Sequence, residues 1–107
     1  MQTTDYVTIQ TTTDSCDEAE RLASLAVEQQ LAACVQVSQV HSFYHWQGET
    51  HRDQEYLLTL KTTSATVPGI KHLLAEQHSY DEPEMIVLPI IDGAAGYLDW
   101  IRDMTDE

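Results

Sequence analysis

The stretch that decides the fold is residues 32–62, AACVQVSQVHSFYHWQGETHRDQEYLLTLKT. Its first part, Ala32 to Trp46, is rich in β-branched and aromatic residues and predicts strand two. Its last part, Thr50 to Thr62, predicts strand three, and Gln47-Gly48-Glu49 between them has the composition of a turn. Both strands are about twice the usual length of ~5–6 residues. The centre of the chain is therefore predicted to be one unusually long β-hairpin.

The segments on either side of this hairpin predict the rest of a single α+β domain, residues 1–107. The first helix starts with a capping box, in which Ser15 is the N-cap and Glu18 occupies N3. The order is β-α-β-β-α-β with an added C-terminal helix, which is the ferredoxin-like arrangement. The flanking elements are strand one from Tyr6 to Thr13, helix one through Gln30, helix two from Val67 to Gln77, strand four from Glu84 to Ile91, and a last helix from Tyr97 to Met104.

Charge and composition exclude several classes of partner. The chain has 18 acidic and 5 basic residues and a net charge of −13, so it lacks the clustered Lys and Arg that neutralise phosphates. Nucleic acids and anionic membranes are therefore not expected partners, and no run of ~18 apolar residues predicts a membrane span. The first residues lack the pattern of a signal peptide, which favours the cytoplasm. Cys16 and Cys34 are then expected to be reduced thiols.

Strand alternation separates two faces of the predicted sheet. A turn at Gly48 pairs odd positions of strand two with even positions of strand three, which places Val35 and Val37 in a core with Tyr56, Leu58 and Leu60. The opposite face carries small neutral side chains and one lysine, although an exposed face of so acidic a protein should carry acids. Together with the long strand edges, this predicts a homo-oligomer. The residues of this neutral face are Thr8, Gln10, Cys34, Gln36, Ser38, Leu57, Thr59 and Lys61.

The outer half of the hairpin concentrates aromatic, imidazole and carboxylate side chains. By the same parity, Tyr44 and Trp46 share a face with Ser42, His51, Asp53 and Glu55. Such a cluster is typical of a ligand cleft, and it is equally typical of an oligomer interface in which aromatics are anchors and charges form the rim. The sequence leaves these two interpretations open.

No catalytic motif accompanies this cluster, so no enzymatic activity is predicted. His41 and His45 lie four residues apart on a strand, about 13 Å, which is too far for both to bind one metal ion. His78 follows helix two, where the helix dipole favours its protonated form. The helix dipole is a sufficient structural reason for a histidine at this position. His78 could also serve as a metal ligand or form an anion site with Lys61.

Several segments together resemble the divalent-cation tolerance (CutA) family. They occur in the family's order and spacing over nearly the whole chain: Leu31 to Val35, Ser42 to Gly48, Glu55 to Thr62, His78 to Glu84, and Tyr97 to Trp100. The resemblance implies a ferredoxin-like subunit in a cytoplasmic homotrimer, with sheets inward and helices outside. It also implies a role in tolerance of copper and other divalent metals, and an architecture similar to the PII signalling trimers.

This chain departs from the family at the implied copper ligands. Gln10 and Gln77 stand at positions matching a cysteine and a histidine, and amides are poor copper ligands beside thiolate and imidazole. His78 remains as the predicted metal ligand, with copper or another divalent cation held weakly. The alternative is a PII-like trimer that binds a small molecule between subunits. Its predicted cleft consists of Tyr44, Trp46, Glu55, Lys61, Tyr80 and Glu84.

Overall fold

The computed structural model describes residues 5–106, which form four β-strands and three α-helices. A short 3-10 turn, Ser64–Thr66, precedes the second α-helix. No helix among these residues is both long and apolar enough to cross a membrane. In chain order the elements are β1 Tyr6–Thr13, α1 Cys16–Glu28, β2 Cys34–Trp46, β3 Glu49–Thr63, α2 Val67–Gln77, β4 Ile86–Pro89 and α3 Ala95–Thr105.

The strands form one antiparallel sheet in the order β2-β3-β1-β4. The predicted parity of the hairpin is confirmed, because Val37 pairs with Leu58 and Tyr44 pairs with His51. Strand β4 is shorter than predicted, since it pairs only with residues 7–10 of β1. Strand β4 lies at a sheet edge, where a residue without a backbone N–H such as Pro89 is tolerated.

Helices α1 and α2 cover one face of the sheet and enclose the hydrophobic core. Ile9 of β1 and Ile70 of α2 are fully buried there, with Leu22, Leu58 and Leu60 nearly so. The predicted N-cap is confirmed, because the Ser15 hydroxyl accepts a hydrogen bond from the Glu18 backbone N–H at 3.2 Å.

The second half of the predicted capping box is wrong. The Glu18 carboxylate does not return to the Ser15 N–H, which donates instead to the Thr13 hydroxyl at 3.4 Å. The carboxylate accepts hydrogen bonds from Thr13 and Ser79, because burial at the end of β1 brings donors within its reach that no local pattern reveals. Glu18 therefore joins two distant segments as well as standing in the first turn of α1.

Helix α3 packs on the opposite face of the sheet. Tyr6 and Ile101 are 3% and 0% exposed, yet neither belongs to the core under α1 and α2. Arg102 of α3 donates to the Tyr6 hydroxyl at 3.0 Å, and the Lys61 ammonium lies 5.7 Å from the centre of the Tyr97 ring. One end of the predicted neutral face is therefore covered by the chain's own last helix.

The outer half of the hairpin projects beyond this sandwich. Residues 49–55 of β3 have no partner in β1 and pair only with residues 40–46 of β2, and we call residues 40–55 the overhang. At ~3.4 Å per residue this ribbon is roughly 20 Å long. The molecule is accordingly elongated, with extents of 44 × 25 × 21 Å. Phe43 and Trp46 in the overhang are 71% and 60% exposed.

Candidate functional site

Two tyrosine–carboxylate pairs meet at the base of the overhang. The Tyr80 hydroxyl donates to Glu55 Oε2 at 2.9 Å, and the Tyr44 hydroxyl donates to Asp53. Glu84 lies close enough to Glu55 for the two charges to repel. We call these five residues the acid–aromatic cluster. The hairpin supplies three of them, and the segment between α2 and β4 supplies Tyr80 and Glu84.

The electrostatics of this cluster keep its phenols protonated. The hydrogen bond to Asp53, followed by desolvation, raises the pKa of Tyr44. Desolvation and then the bond to Glu55 raise the pKa of Tyr80 well above its ordinary value. Desolvation and the neighbouring Glu55 also raise the pKa of the Glu84 carboxyl. The raised pKa values of Tyr44, Tyr80 and Glu84 show that further negative charge is unfavourable here, which suits the cluster to a positively charged contact and not to an anion.

The structure brings together four of the six residues of the predicted cleft. Tyr44, Glu55, Tyr80 and Glu84 belong to the acid–aromatic cluster, but Trp46 and Lys61 do not. Trp46 lies opposite Glu49 at the tip of the overhang, and Lys61 lies opposite Cys34 at the other end of the hairpin. Each is about six residues from Glu55 along β3, roughly 20 Å, so one chain does not assemble the whole cleft.

His78 lies in a second, buried arrangement beside this cluster. Its side chain is 0% exposed, and its Nε2 is 2.8 Å from the Thr12 carbonyl oxygen. Its Nδ1 accepts the Tyr80 backbone N–H at 3.0 Å. A backbone N–H can only donate, so the ring is neutral and carries its proton on Nε2. Both ring nitrogens therefore have a hydrogen-bond partner within the chain, and the ligand role of His78 stays a prediction.

Glu18 completes this arrangement. Its Oε1 accepts the hydroxyls of Thr13 and Ser79, each at 2.7 Å, and its Oε2 accepts the Ser79 N–H at 2.6 Å. Burial raises the pKa of this carboxyl, but the hydrogen bonds from Thr13 and Ser79 outweigh burial and leave the pKa below its usual value. We call Thr12, Thr13, Glu18, His78 and Ser79 the His78 clasp.

Gln77 and Gln10, which match the implied copper ligands, both make contacts within the chain. Arg21 of α1 donates to the Gln77 side-chain oxygen at 2.8 Å and to the Gln77 carbonyl at 2.9 Å. Gln10 is half-buried within β1 and pairs with Thr59 and Ile86. Among residues 5–106, no group of three or more His, Cys, Asp and Glu side chains has a geometry that could hold a metal ion.

Comparison with known proteins decides the family. The model of the CutA1 divalent ion tolerance protein family matches residues 7–104, almost the whole chain. The chain belongs to the CutA1 divalent ion tolerance family. The clasp and the acid–aromatic cluster are therefore features of a CutA1-family chain.

Individual relatives agree with this assignment. The divalent-cation tolerance protein CutA of Thermus thermophilus is 44% identical over 95 residues, which cover 88% of this chain and 92% of that protein. The human protein CutA is 38% identical over 89 residues, and the match covers 82% of this chain but only 50% of the human protein.

Solved structures show the same fold. The CutA structure from Synechococcus elongatus matches with a TM-score of 0.93 and 37% identity, covering 99% of this chain and 95% of that one. A structure described as the periplasmic divalent cation tolerance protein CutA from Archaeoglobus fulgidus matches with a TM-score of 0.92 and 33% identity. It covers 94% of this chain and 99% of that one.

Sequence reasoning missed the residues that surround His78 in this CutA1-family chain. Arg21 and Ser79 carried no signal, because their partners Gln77 and Glu18 are 56 and 61 residues away. Glu18 did carry one, since a carboxylate at N3 is a capping residue. That local explanation was sufficient and concealed the long-range contact.

Proposed function

We propose that this chain acts in divalent-cation tolerance as a homotrimer of ferredoxin-like subunits. Membership of the CutA1 family over residues 7–104 is the observation that carries the role. The overhang supports the assembly, because a two-stranded ribbon is marginally stable by itself and needs further contacts. Its outward aromatics, Phe43 and Trp46, are of the kind enriched in interfaces.

A second exposed apolar surface supplies a complementary contact. Ile86 and Leu88 of β4 are 45% and 41% exposed and lie on the same face of this edge strand. The overhang of one subunit would contact the apolar edge strand of the next subunit. Such head-to-tail contacts between two different surfaces close into a ring when the rotation from one subunit to the next is a whole fraction of a turn. Two different contact surfaces favour a cyclic assembly and not a two-fold dimer, in which the same surface of both subunits would meet.

Charge supports weak cation association and not a dedicated site. One chain carries −13, and three copies would carry −39, three times that value. A field of this sign raises the local concentration of cations. We propose that copper or another divalent cation is bound weakly through this surface and that the chain has no enzymatic activity. A PII-like small-molecule cleft between subunits is not favoured, because the family that matches residues 7–104 is one of divalent ion tolerance proteins.

We also propose a cytoplasmic location. Cys16 and Cys34 are both free, Cys16 at the exposed start of α1 and Cys34 half-buried at the start of β2. Unpaired thiols are ordinary in a reducing compartment. Fractionation of cells that express the whole protein checks this, and recovery in an osmotic-shock fraction would contradict it.

The role is tested by growth. A bacterial strain lacking its own family member is given this chain or an empty vector and is grown in graded CuSO4 and ZnCl2. We expect the chain to raise the tolerated concentration of at least one metal. Growth identical to that with the empty vector in both metals would contradict the role.

The assembly is tested separately by native mass spectrometry. We expect a trimer, and we expect the double variant Phe43→Ser, Trp46→Ser to dissociate at concentrations where the unaltered trimer persists. The matched control is Val27→Ser, which removes an exposed apolar side chain of α1 that is 44% exposed and lies away from the overhang. A monomeric unaltered chain would rule out the trimer.

A further inference from the structure

The segment from Gln77 to Tyr80 is the place where the family resemblance would put a copper ion, so its own contacts decide whether it could hold one. His78 is the single imidazole in the segment, and its side chain is fully buried. Copper needs a nitrogen lone pair, and the neutral ring has one, on Nδ1. That lone pair already accepts the Tyr80 N–H at 3.0 Å.

The Glu18 carboxylate is equally committed. Three donors from Thr13 and Ser79 lie within 2.7 Å of its oxygens, and Glu18 as a whole is 8% exposed. A buried carboxylate must keep its hydrogen bonds, because losing them leaves a charge without compensation. Recruiting Glu18 to a metal ion would release Ser79 and, with it, the start of the segment that carries Tyr80.

Arg21 supplies a resident positive charge at the same place. Its guanidinium donates to both oxygens of Gln77, at the last residue of α2, where the helix dipole favours a cation. A divalent cation bound at Gln77 would have to displace this bidentate contact and approach a fixed charge of the same sign. The side chain that matches a copper ligand therefore binds an arginine instead.

We propose that the Arg21–Gln77 contact and the His78 clasp are a metal-independent lock. In it, the chain's own groups fill the position of a copper site and orient Tyr80 onto Glu55. His78 is a positioning residue and binds no copper. The inference rests on the proposed cation-tolerance role only in choosing copper as the probe.

The direct test follows the histidines of the full chain by NMR after labelling the imidazoles with nitrogen-15. We expect His78 to show the neutral tautomer protonated at Nε2, with an Nε2–H signal protected from solvent. During addition of substoichiometric CuSO4, signals of the exposed His41, His45 and His72 should broaden while those of His78 persist. Broadening of His78 at the lowest copper concentration, or a tautomer protonated at Nδ1, would overturn the proposal.

A matched pair of variants gives a second readout. His78→Asn and His72→Asn each remove one imidazole, and His72 lies on the exposed side of α2, 3.2 Å from Glu76. We expect His78→Asn to bind copper with the stoichiometry of the unaltered chain and to shift the NMR signals of the Tyr80 ring. His72→Asn should lose the copper held by its exposed imidazole and leave the Tyr80 signals unchanged. If His78→Asn lost one copper ion per chain, the proposal of a metal-independent lock would be wrong.

The two proposals fail in different ways. Copper held at His78 would overturn the lock and leave cation tolerance intact with a defined site. Absence of metal protection in the growth assay would overturn the tolerance role, and the tautomer and copper response of His78 would still decide the lock. If His78→Asn does not fold, the NMR measurement on the unaltered chain decides by itself.

Discussion

Strands β2 and β3 run through both the sandwich and the overhang, but the two regions are stabilised in different ways. In the sandwich, Ile9 and Leu58 are 0% and 1% exposed and contact helices on one side. In the overhang no residue is buried, and Phe43 is 71% exposed. Cross-strand pairing and the Tyr80–Glu55 hydrogen bond at its base thus maintain the ribbon, whereas packing maintains the sandwich. The most exposed aromatic side chains of the overhang, Phe43 and Trp46, are those that the proposed assembly assigns to contacts between subunits.

One cross-strand pair of the sandwich, close to the overhang, shows how burial falls toward the edge strand β2. Val37 and Leu58 face each other, yet Val37 is 39% exposed and Leu58 is 1% exposed. Leu58→Ala should lower the free energy of unfolding by about 2–5 kcal/mol, the usual cost of a core truncation. Val37→Ala should cost less than about 1 kcal/mol, since most surface changes are small. Urea unfolding of both variants measures the contrast, and equal losses would break it.

The sandwich contains one polar defect that sharpens the comparison. The Thr11 hydroxyl is buried and has no hydrogen-bond partner within residues 5–106, whereas the Thr62 hydroxyl bonds the Leu31 carbonyl at 2.7 Å. Thr11→Val should therefore raise the free energy of unfolding by ~1–2 kcal/mol, the penalty of an unsatisfied buried group. Thr62→Val is the control and should lower it. A loss of stability in Thr11→Val would show that the hydroxyl is satisfied.

The turn of the overhang depends on backbone conformation and not on packing. Gly48 has φ +79°, and a Cβ added there would meet no atom within 4 Å. Gly48→Ala should cost ~1 kcal/mol through backbone strain alone. Gly96→Ala in α3 has equal space and no positive φ, so it should be neutral or stabilising. Thermal unfolding of the two variants checks this, and equal shifts would contradict a purely conformational cost.

The smallest expected effect lies where the two regions meet. Desolvation and Glu55 raise the pKa of Glu84 above its ordinary 4.5, so its ionised form costs stability at neutral pH. This cost arises as pH rises through the folded-state pKa and is absent below the unfolded one. Glu84→Gln should thus stabilise by less than about 1 kcal/mol at pH 7, because Glu84 is exposed and screened.

The pH dependence provides the check on Glu84. The gain from Glu84→Gln should disappear as pH falls below 4.5. Glu82→Gln, an exposed acid two residues earlier, is the control for the lost charge. A gain that is the same at pH 7 and pH 4, or equal in both variants, would contradict repulsion from Glu55.

Local pattern was enough to predict the hairpin, its parity and the N-cap at Ser15, because each depends on residues close in sequence. It predicted α3 but not how α3 packs, because the contact between Arg102 and Tyr6 joins residues 96 positions apart. It also gave no sign of the hydrogen bond between His78 and Thr12, which are 66 residues apart. The position of His78 after α2 was correct, but no local signal showed that both ring nitrogens would be engaged.

The candidate site was predicted in part for the same reason. Tyr44 and Glu55 were placed on one face by strand alternation, which the register confirms. Lys61 and Trp46 lie on that face as well, but each is about six residues, roughly 20 Å, from Glu55 along β3. The predicted cleft also depends on contacts between subunits. Those contacts are determined by the shape and chemistry of whole surfaces, which the alternation of side chains along a strand does not reveal.

The two-residue turn also has a kinetic consequence. Gln47 and Gly48, with φ 52° and 79°, close the hairpin with almost no loop, while β1 must find β3 across α1 and β2. Hairpins form in ~1–10 μs, whereas distant pairings wait for loop closure. We expect the overhang to form first, and folding slowed by Gly48→Ala in proportion to its lost stability would show it. The overhang, which has the least packing in the folded chain, would then be the folding nucleus on which the other elements assemble.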